Sequence, residues 1–253
     1  MNIRLTCLVF LIVCLVSAAT EVAAQRKRTA SPPTSRSKDI GQTAIVLDET
    51  LSVLRPTPSL FAEPIQRMRR GRVVKIVAVA EADGVKFFKV AAPPRNFGWV
   101  QSDAVFGRFR PVDEERLARL VQASSGFEQI ELATFYFSLY PNSQLRPSIL
   151  LLFGDLCQET AVRLSREATN RLDRREMAAS AAPLHSYYLN YVGLDRYRKL
   201  GIKFKFDTAT KAYYYDGGTW REVVSKFASS PEAVEAQKRL DSIRERIEPA
   251  GQK

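Results

Sequence analysis

Val73-Val74-Lys75-Ile76-Val77-Ala78-Val79, then Val85-Lys86-Phe87-Phe88-Lys89-Val90, then Gly98-Trp99-Val100 are three apolar runs whose reading decides the fold of the first half of this chain. Each is rich in β-branched or aromatic residues, and each is of strand length rather than helix length. Pro, Gly and charged residues separate them. Working outward toward the amino terminus, Ala44-Ile45-Val46-Leu47 and Leu51-Ser52-Val53-Leu54 have the same character. Five short strands within about 65 residues predict a small β-barrel, because closing the sheet hides strand edges that would otherwise pair with other chains.

Toward the carboxyl terminus the period changes from about Pro111. Asp113-Glu114-Glu115 precedes Arg116-Leu117-Ala118-Arg119-Leu120-Val121, which places acids at the positive end of a helix. Phe127, Ile130, Ala133, Phe137 and Tyr140 recur at helical spacing and predict an amphipathic helix that Pro141-Asn142-Ser143 ends. A long helix is expected from about Arg146 to Met177. Pro183 opens a segment carrying Tyr187, Tyr188, Tyr191, Leu194 and Tyr197 before Gly201. Strict alternation in Ile202-Lys203-Phe204-Lys205-Phe206, turn residues at 207–211 and Ala212-Tyr213-Tyr214-Tyr215-Asp216 then predict a β-hairpin inserted among the helices. A two-stranded hairpin is marginal alone, so the face carrying Ile202, Phe204 and Phe206 is expected to pack on the chain's own helices. Gly217-Gly218 breaks the hairpin, and Thr219 is read as the cap of a helix starting at Trp220.

The first 24 residues read as an export signal. Met1-Asn2-Ile3-Arg4 is a short positive start, Leu5 to Val16 is almost unbroken apolar sequence, and Val22-Ala23-Ala24 supplies small residues for cleavage before Gln25. The run is shorter than the roughly 20 residues that cross a bilayer; the alternative reading is an uncleaved anchor. Residues 25–42 form a basic linker whose first fifteen residues lack any large apolar side chain and contain Pro32-Pro33, so they are expected to be disordered.

Charge and titratable residues narrow the function classes. The chain has 38 Lys+Arg against 27 Asp+Glu, and the excess lies in the first half: eleven basic to six acidic residues over 40–111, twenty-one to nineteen over 112–253. In an exported protein such a surface meets lipid headgroups, wall polymers and other proteins rather than nucleic acid, or it serves solubility alone. Five basic residues over 25–39 give anionic lipid only a salt-sensitive contact. Cys157 is the one cysteine after the signal, so no internal disulfide is available, and its apolar helical context reads as a buried structural thiol. His185 is the sole histidine, which excludes a zinc site built from several His or Cys ligands. No Gly-rich phosphate loop is present, and no cofactor is implied.

The ordered set Leu51-Ser52-Val53-Leu54-Arg55-Pro56, Arg69-Arg70-Gly71-Arg72-Val73-Val74, Phe87-Phe88-Lys89-Val90 and Gly98-Trp99-Val100 with Asp103-Ala104-Val105 resembles the bacterial SH3-like domain (SH3b). The resemblance covers 43–106. It departs from the pattern at Pro56-Thr57-Pro58, which replaces the usual Gly-containing turn, and at the additional Leu60-Phe61-Ala62-Glu63-Pro64. It implies a non-catalytic module of envelope proteins that binds wall peptides or protein partners. Tyr140-Pro141-Asn142-Ser143 and Phe227-Ala228-Ser229-Ser230-Pro231-Glu232-Ala233 align as a faint repeat and look like the turns of tetratricopeptide-type helical pairs, which places a tetratricopeptide-like helical domain at 112–250.

The expectation is therefore an α+β multidomain protein, a small SH3-like barrel followed by helices with an inserted hairpin. It is read as an exported, periplasmic or secreted, non-catalytic adaptor whose SH3-like domain binds a peptidoglycan peptide or an envelope protein and whose helical domain contacts a protein partner. Arg55, Phe88, Phe97 and Trp99 are the candidate ligand residues, because aromatics offer contact area at low entropic cost and Arg forks onto a carboxylate; the competing reading of Trp99 is a half-buried core residue. A groove lined by exposed aromatics favours a binding module, and a groove filled by Leu60-Phe61 favours a structural subunit with no wall ligand. The enzymatic alternative, a wall hydrolase, has only Cys157 with His185, or acid pairs such as Glu114-Glu115 and Glu128/Glu131, to draw on.

Overall fold

The computed structural model describes residues 37–92 and 96–247; the expected signal segment and residues 25–36 of the linker lie outside the described residues. It is a mixed α+β structure built on a five-stranded antiparallel sheet. Strands β1 (Thr43–Val46), β4 (Val73–Ala82), β5 (Val85–Ala92), β6 (Asn96–Gln101) and β7 (Val105–Phe106) lie in the order β6-β5-β4-β1-β7. Alternation puts Val74, Ile76, Phe88, Val90, Ala92 and Val100 on one face, where they bury with Ala44, Val46, Leu54 and Met68. Asp83 and Gly84 both have positive φ, 54° and 72°, and close β4 onto β5 as a two-residue turn.

Strands β2 (Val53–Leu54) and β3 (Gln66–Arg67) form a separate antiparallel pair, which joins β6 through a bridge between Arg55 and Trp99. β3 is absent from the sequence expectation because two residues leave no periodic trace. Residues 39–42, read as linker, run along the sheet: Gly41 N–H donates to Ile76 O at 2.8 Å, Ile76 N–H donates to Gln42 O at 2.9 Å, and Lys86 pairs with Asp39 at 2.6 Å.

Helices α1 (Val112–Ala123), α2 (Gly126–Leu139) and α3 (Arg146–Arg171) follow the sheet. The long helix ends six residues before the expected Met177. Leu172 leaves the helix with ψ of 112°, and the Asp173 carboxylate accepts the Arg175 N–H at 2.8 Å to start the short α4 (Arg174–Ala179). The tyrosine segment forms α5 (Leu184–Leu189), a 3₁₀ turn at Val192–Leu194 and α6 (Asp195–Lys199), burying Tyr188, Tyr191, Leu194 and Tyr197.

The hairpin consists of β8 (Phe204–Asp207) and β9 (Ala212–Tyr215). Its aromatic face packs inward: Phe206 stacks on Tyr188 at 4.8 Å between ring centroids, and Phe204 meets the edge of Tyr197 at 5.5 Å. Helix α7 starts at Gly218, not Trp220, and runs to Lys226. Thr219 is not its cap. Asp216 Oδ1 accepts the Gly218 N–H at 3.0 Å and Tyr215 Oη accepts the Thr219 N–H at 2.8 Å, so the strand that enters the helix supplies the acceptors. Helix α8 (Pro231–Ile247) closes the described chain. Among the described residues no helix is long and apolar enough to cross a membrane.

Residues from Lys38 onward form one compact unit. Leu47 and Phe106 come from the sheet yet belong to the helical apolar cluster. Arg70, its side chain 10% exposed, donates to Leu47 O at 2.9 Å and to Glu131 at 3.0 Å, and it also pairs with Glu128. Asp113 is fully buried and accepts from Gly107 N–H, Arg110 and Arg116 at 3.0, 2.9 and 2.7 Å, which offsets the desolvation of its charge.

Candidate ligand-binding site

The site begins at β6, where alternation sends Gly98 and Val100 to the buried side and Phe97 and Trp99 to the other. Arg55 and Trp99 exchange both backbone hydrogen bonds, at 2.8 and 2.7 Å, so their side chains leave the sheet on the same side. Gly98 permits this approach. A Cβ there would stand 2.7 Å from Leu54 Cγ and 2.8 Å from Arg55 O. The Gly-Trp-Val sequence is thus one unit: a gap for β2, an aromatic for the outer face and a valine for the core.

The segment 56–65 folds back beside these residues. Arg55 donates from Nη1 to Ala62 O, Ile65 N–H donates to Leu54 O at 2.8 Å, and Asp83 Oδ2 accepts from Ser59 Oγ at 2.7 Å and from Leu60 N–H at 2.8 Å. Those last two bonds hold the Asp83 carboxyl below its ordinary pKa. Leu60 is half-buried under this arrangement, but Phe61 is 87% exposed, Ile65 52% and Phe97 60%. Trp99 is half-buried, and Arg55 Nε is buried without a hydrogen-bond partner.

Three of the four candidate residues, Arg55, Phe97 and Trp99, therefore come together on β2 and β6. Phe88 does not. It is fully buried on the opposite face, with the Arg110 guanidinium 5.2 Å and the Lys86 ammonium 5.3 Å from its ring centroid. Phe87, in register with Gln101, is the residue β5 turns toward the Trp99 side, and it too is fully buried. Lys89, directly opposite Trp99, is the polar neighbour on that side. Asp83 escaped the sequence reading although its signal was present: an Asp-Gly pair between two strands marks a tight hairpin turn, and a carboxylate at its tip is free to accept from a neighbouring loop.

The residues of the enzymatic alternative lie apart in environment. Cys157 is fully buried inside α3, and burial pushes its thiol far above the ordinary range, whereas His185 is exposed at the start of α5. Glu128 and Glu131 both serve Arg70, and Glu115 pairs with Arg119 at 2.8 Å along one helix face. Among the described residues no group of three or more His, Cys, Asp or Glu side chains is placed to hold a metal.

No family model, curated protein or solved structure matches this chain.

Proposed function

We propose that this protein is an exported, non-catalytic adaptor of the cell envelope. Its sheet domain acts as an SH3-like barrel that binds a wall peptide or a protein partner, and its tetratricopeptide-like helices provide a second protein contact. The carrying observation is the cluster around Arg55. A guanidinium with an unpartnered Nε sits beside half-buried Trp99, flanked by the exposed Phe97 and by a loop exposing Phe61 and Ile65. Aromatic surface next to an incompletely satisfied Arg suits a ligand that has both an apolar group and a carboxylate. The half-buried Leu60, pinned to Asp83, favours a second reading, in which the loop covers the groove and the barrel only orients the helices.

Cosedimentation of the protein from Gln25 onward with purified peptidoglycan across a salt series separates the two. The binding reading expects pelleting that survives high salt and falls about tenfold or more in Trp99→Ala and Arg55→Ala, in keeping with the loss of an aromatic or Arg anchor. Pelleting that disappears with salt, or is indifferent to both substitutions, refutes wall recognition by this face.

A further inference from the structure

Two adjoining cavities open between the hairpin and α8. One has a volume of about 650 Å³ and is lined by Lys205, Tyr214, Arg221, Leu240, Ile243 and Arg244 among others. The second, about 490 Å³, lies beside Val162, Phe206, Tyr213, Tyr214 and Ile243. They share Tyr214 and Ile243. Both volumes fall within the roughly 300–1,000 Å³ of small-molecule sites, which are mostly apolar with a few convergent polar groups.

The chain holds this cleft open by specific contacts. The outward amides of β9 are taken by α3, Tyr213 N–H donating to Ser165 Oγ at 2.7 Å and Tyr215 N–H to Gln158 Oε1 at 3.0 Å. These bonds fix the height of the hairpin above α3. On the other wall, Arg239 forks onto Asp155 at 2.7 and 3.0 Å and anchors α8 to the same helix. With both walls tied to α3, Ile243 and Tyr214 face a gap that neither wall fills.

The two ends of the cleft differ in chemistry. Among its described lining residues the larger cavity carries the cationic side chains of Lys205 and Arg221 and the carboxylate of Asp216, which Arg221 engages at 3.2 Å. Lys205 is exposed and forms no ion pair among the described residues. The smaller cavity has Phe206, Tyr213, Val162 and Ile243 as its walls, and its one carboxylate, Asp207, accepts from its own turn at Ala209 N–H and Thr210 Oγ1.

We propose that this cleft binds a small amphipathic anion, with its apolar body against Phe206, Tyr213 and Ile243 and its acidic head at Lys205 and Arg221. The site is independent of the barrel face, and it stands whether or not that face binds the wall. A long-chain carboxylate and an aromatic acid share the required chemistry.

The probe is 1-anilinonaphthalene-8-sulfonate, titrated by fluorescence into the protein from Gln25 onward. The expected result is a saturable cleft site, displaced by decanoate and at least about tenfold more weakly by acetate, which has the head alone, or 1-decanol, which has the body alone. Benzoate and decanoate as competitors distinguish an aromatic acid from an acyl chain. Lys205→Glu is expected to weaken probe binding at least fivefold while Lys205→Arg restores it, and Val162→Trp, a change at a partly exposed helix position, is expected to occlude the apolar end. Trp99→Ala removes any probe bound at the barrel face, and the cleft site is the binding that this variant retains. Unaltered circular dichroism verifies that each variant is folded. Equal displacement by decanol and decanoate, probe binding indifferent to both Lys205→Glu and Val162→Trp, loss of all probe binding in Trp99→Ala, or displacement by an acidic peptide but not by decanoate would each overturn the proposal.

Discussion

Gly154 is a position at which α3 has no room for a Cβ unless a neighbour moves. A Cβ there would stand 2.3 Å from Nε1 and 2.6 Å from Cε2 of Trp220, which is 2% exposed. Gly154→Ala is expected to cost about 1–3 kcal/mol through overpacking, read as a lower urea midpoint with shifted tryptophan emission; an unchanged midpoint would mean that Trp220 moves without penalty. One turn along the same helix, Cys157 sits fully buried with its thiol pushed up by desolvation. It is expected to resist a thiol-specific reagent at pH 8 and to react only as the protein unfolds. That burial was legible in the sequence, because a cysteine inside an apolar helix has nothing else to pair with. The burial of Phe88 in the core, against its expected place among the ligand residues, was not legible. Two adjacent phenylalanines in a strand must point to opposite sides, and which side becomes core depends on the strands and loops that cover each face, not on the strand itself.

Among the elements, the 56–65 loop shows how a short side-chain contact positions a binding surface. Asp83, at the tip of the β4–β5 turn, accepts from Ser59 and Leu60 and thereby fixes the loop that carries Phe61 and Ile65. Because these bonds lower its folded pKa below 3.8, the pin is complete above that pH and is lost as pH falls through the depressed folded value. The Leu60 amide resonance is expected to titrate below pH 3.8 and to lose that titration in Asp83→Ala; a midpoint above 3.8 would contradict the pinned loop. The hairpin was readable from its alternation, and its aromatic face had to be covered. The break of the long helix at Leu172 was not readable, because the helical period continues through it; Asp173 capping Arg175 outcompeted propensity at that point.

At the scale of the molecule, Leu47 and Phe106 leave the sheet to bury in the helical cluster, while Arg70 pairs with Glu128 and Glu131, and Arg116 with Asp103, between the two lobes. The lobes are therefore expected to unfold together. In Trp220→Phe the remaining Trp99 reports the sheet and in Trp99→Phe the remaining Trp220 reports the helices; within each variant, tryptophan emission and helical circular dichroism should share one urea midpoint. Separated midpoints would show two independently folding domains. The sequence by itself determined the strand-rich first half, the helical second half, the inserted hairpin and the uneven charge, because periodicity and composition are local properties of the chain. Only the tertiary structure decided that Arg55, Phe97 and Trp99 meet while Phe88 turns away, that Glu128 and Glu131 are neutralised by Arg70, and that a basic, apolar-floored cleft opens beside Tyr214. Those outcomes depend on contacts between residues tens of positions apart, which no local pattern encodes.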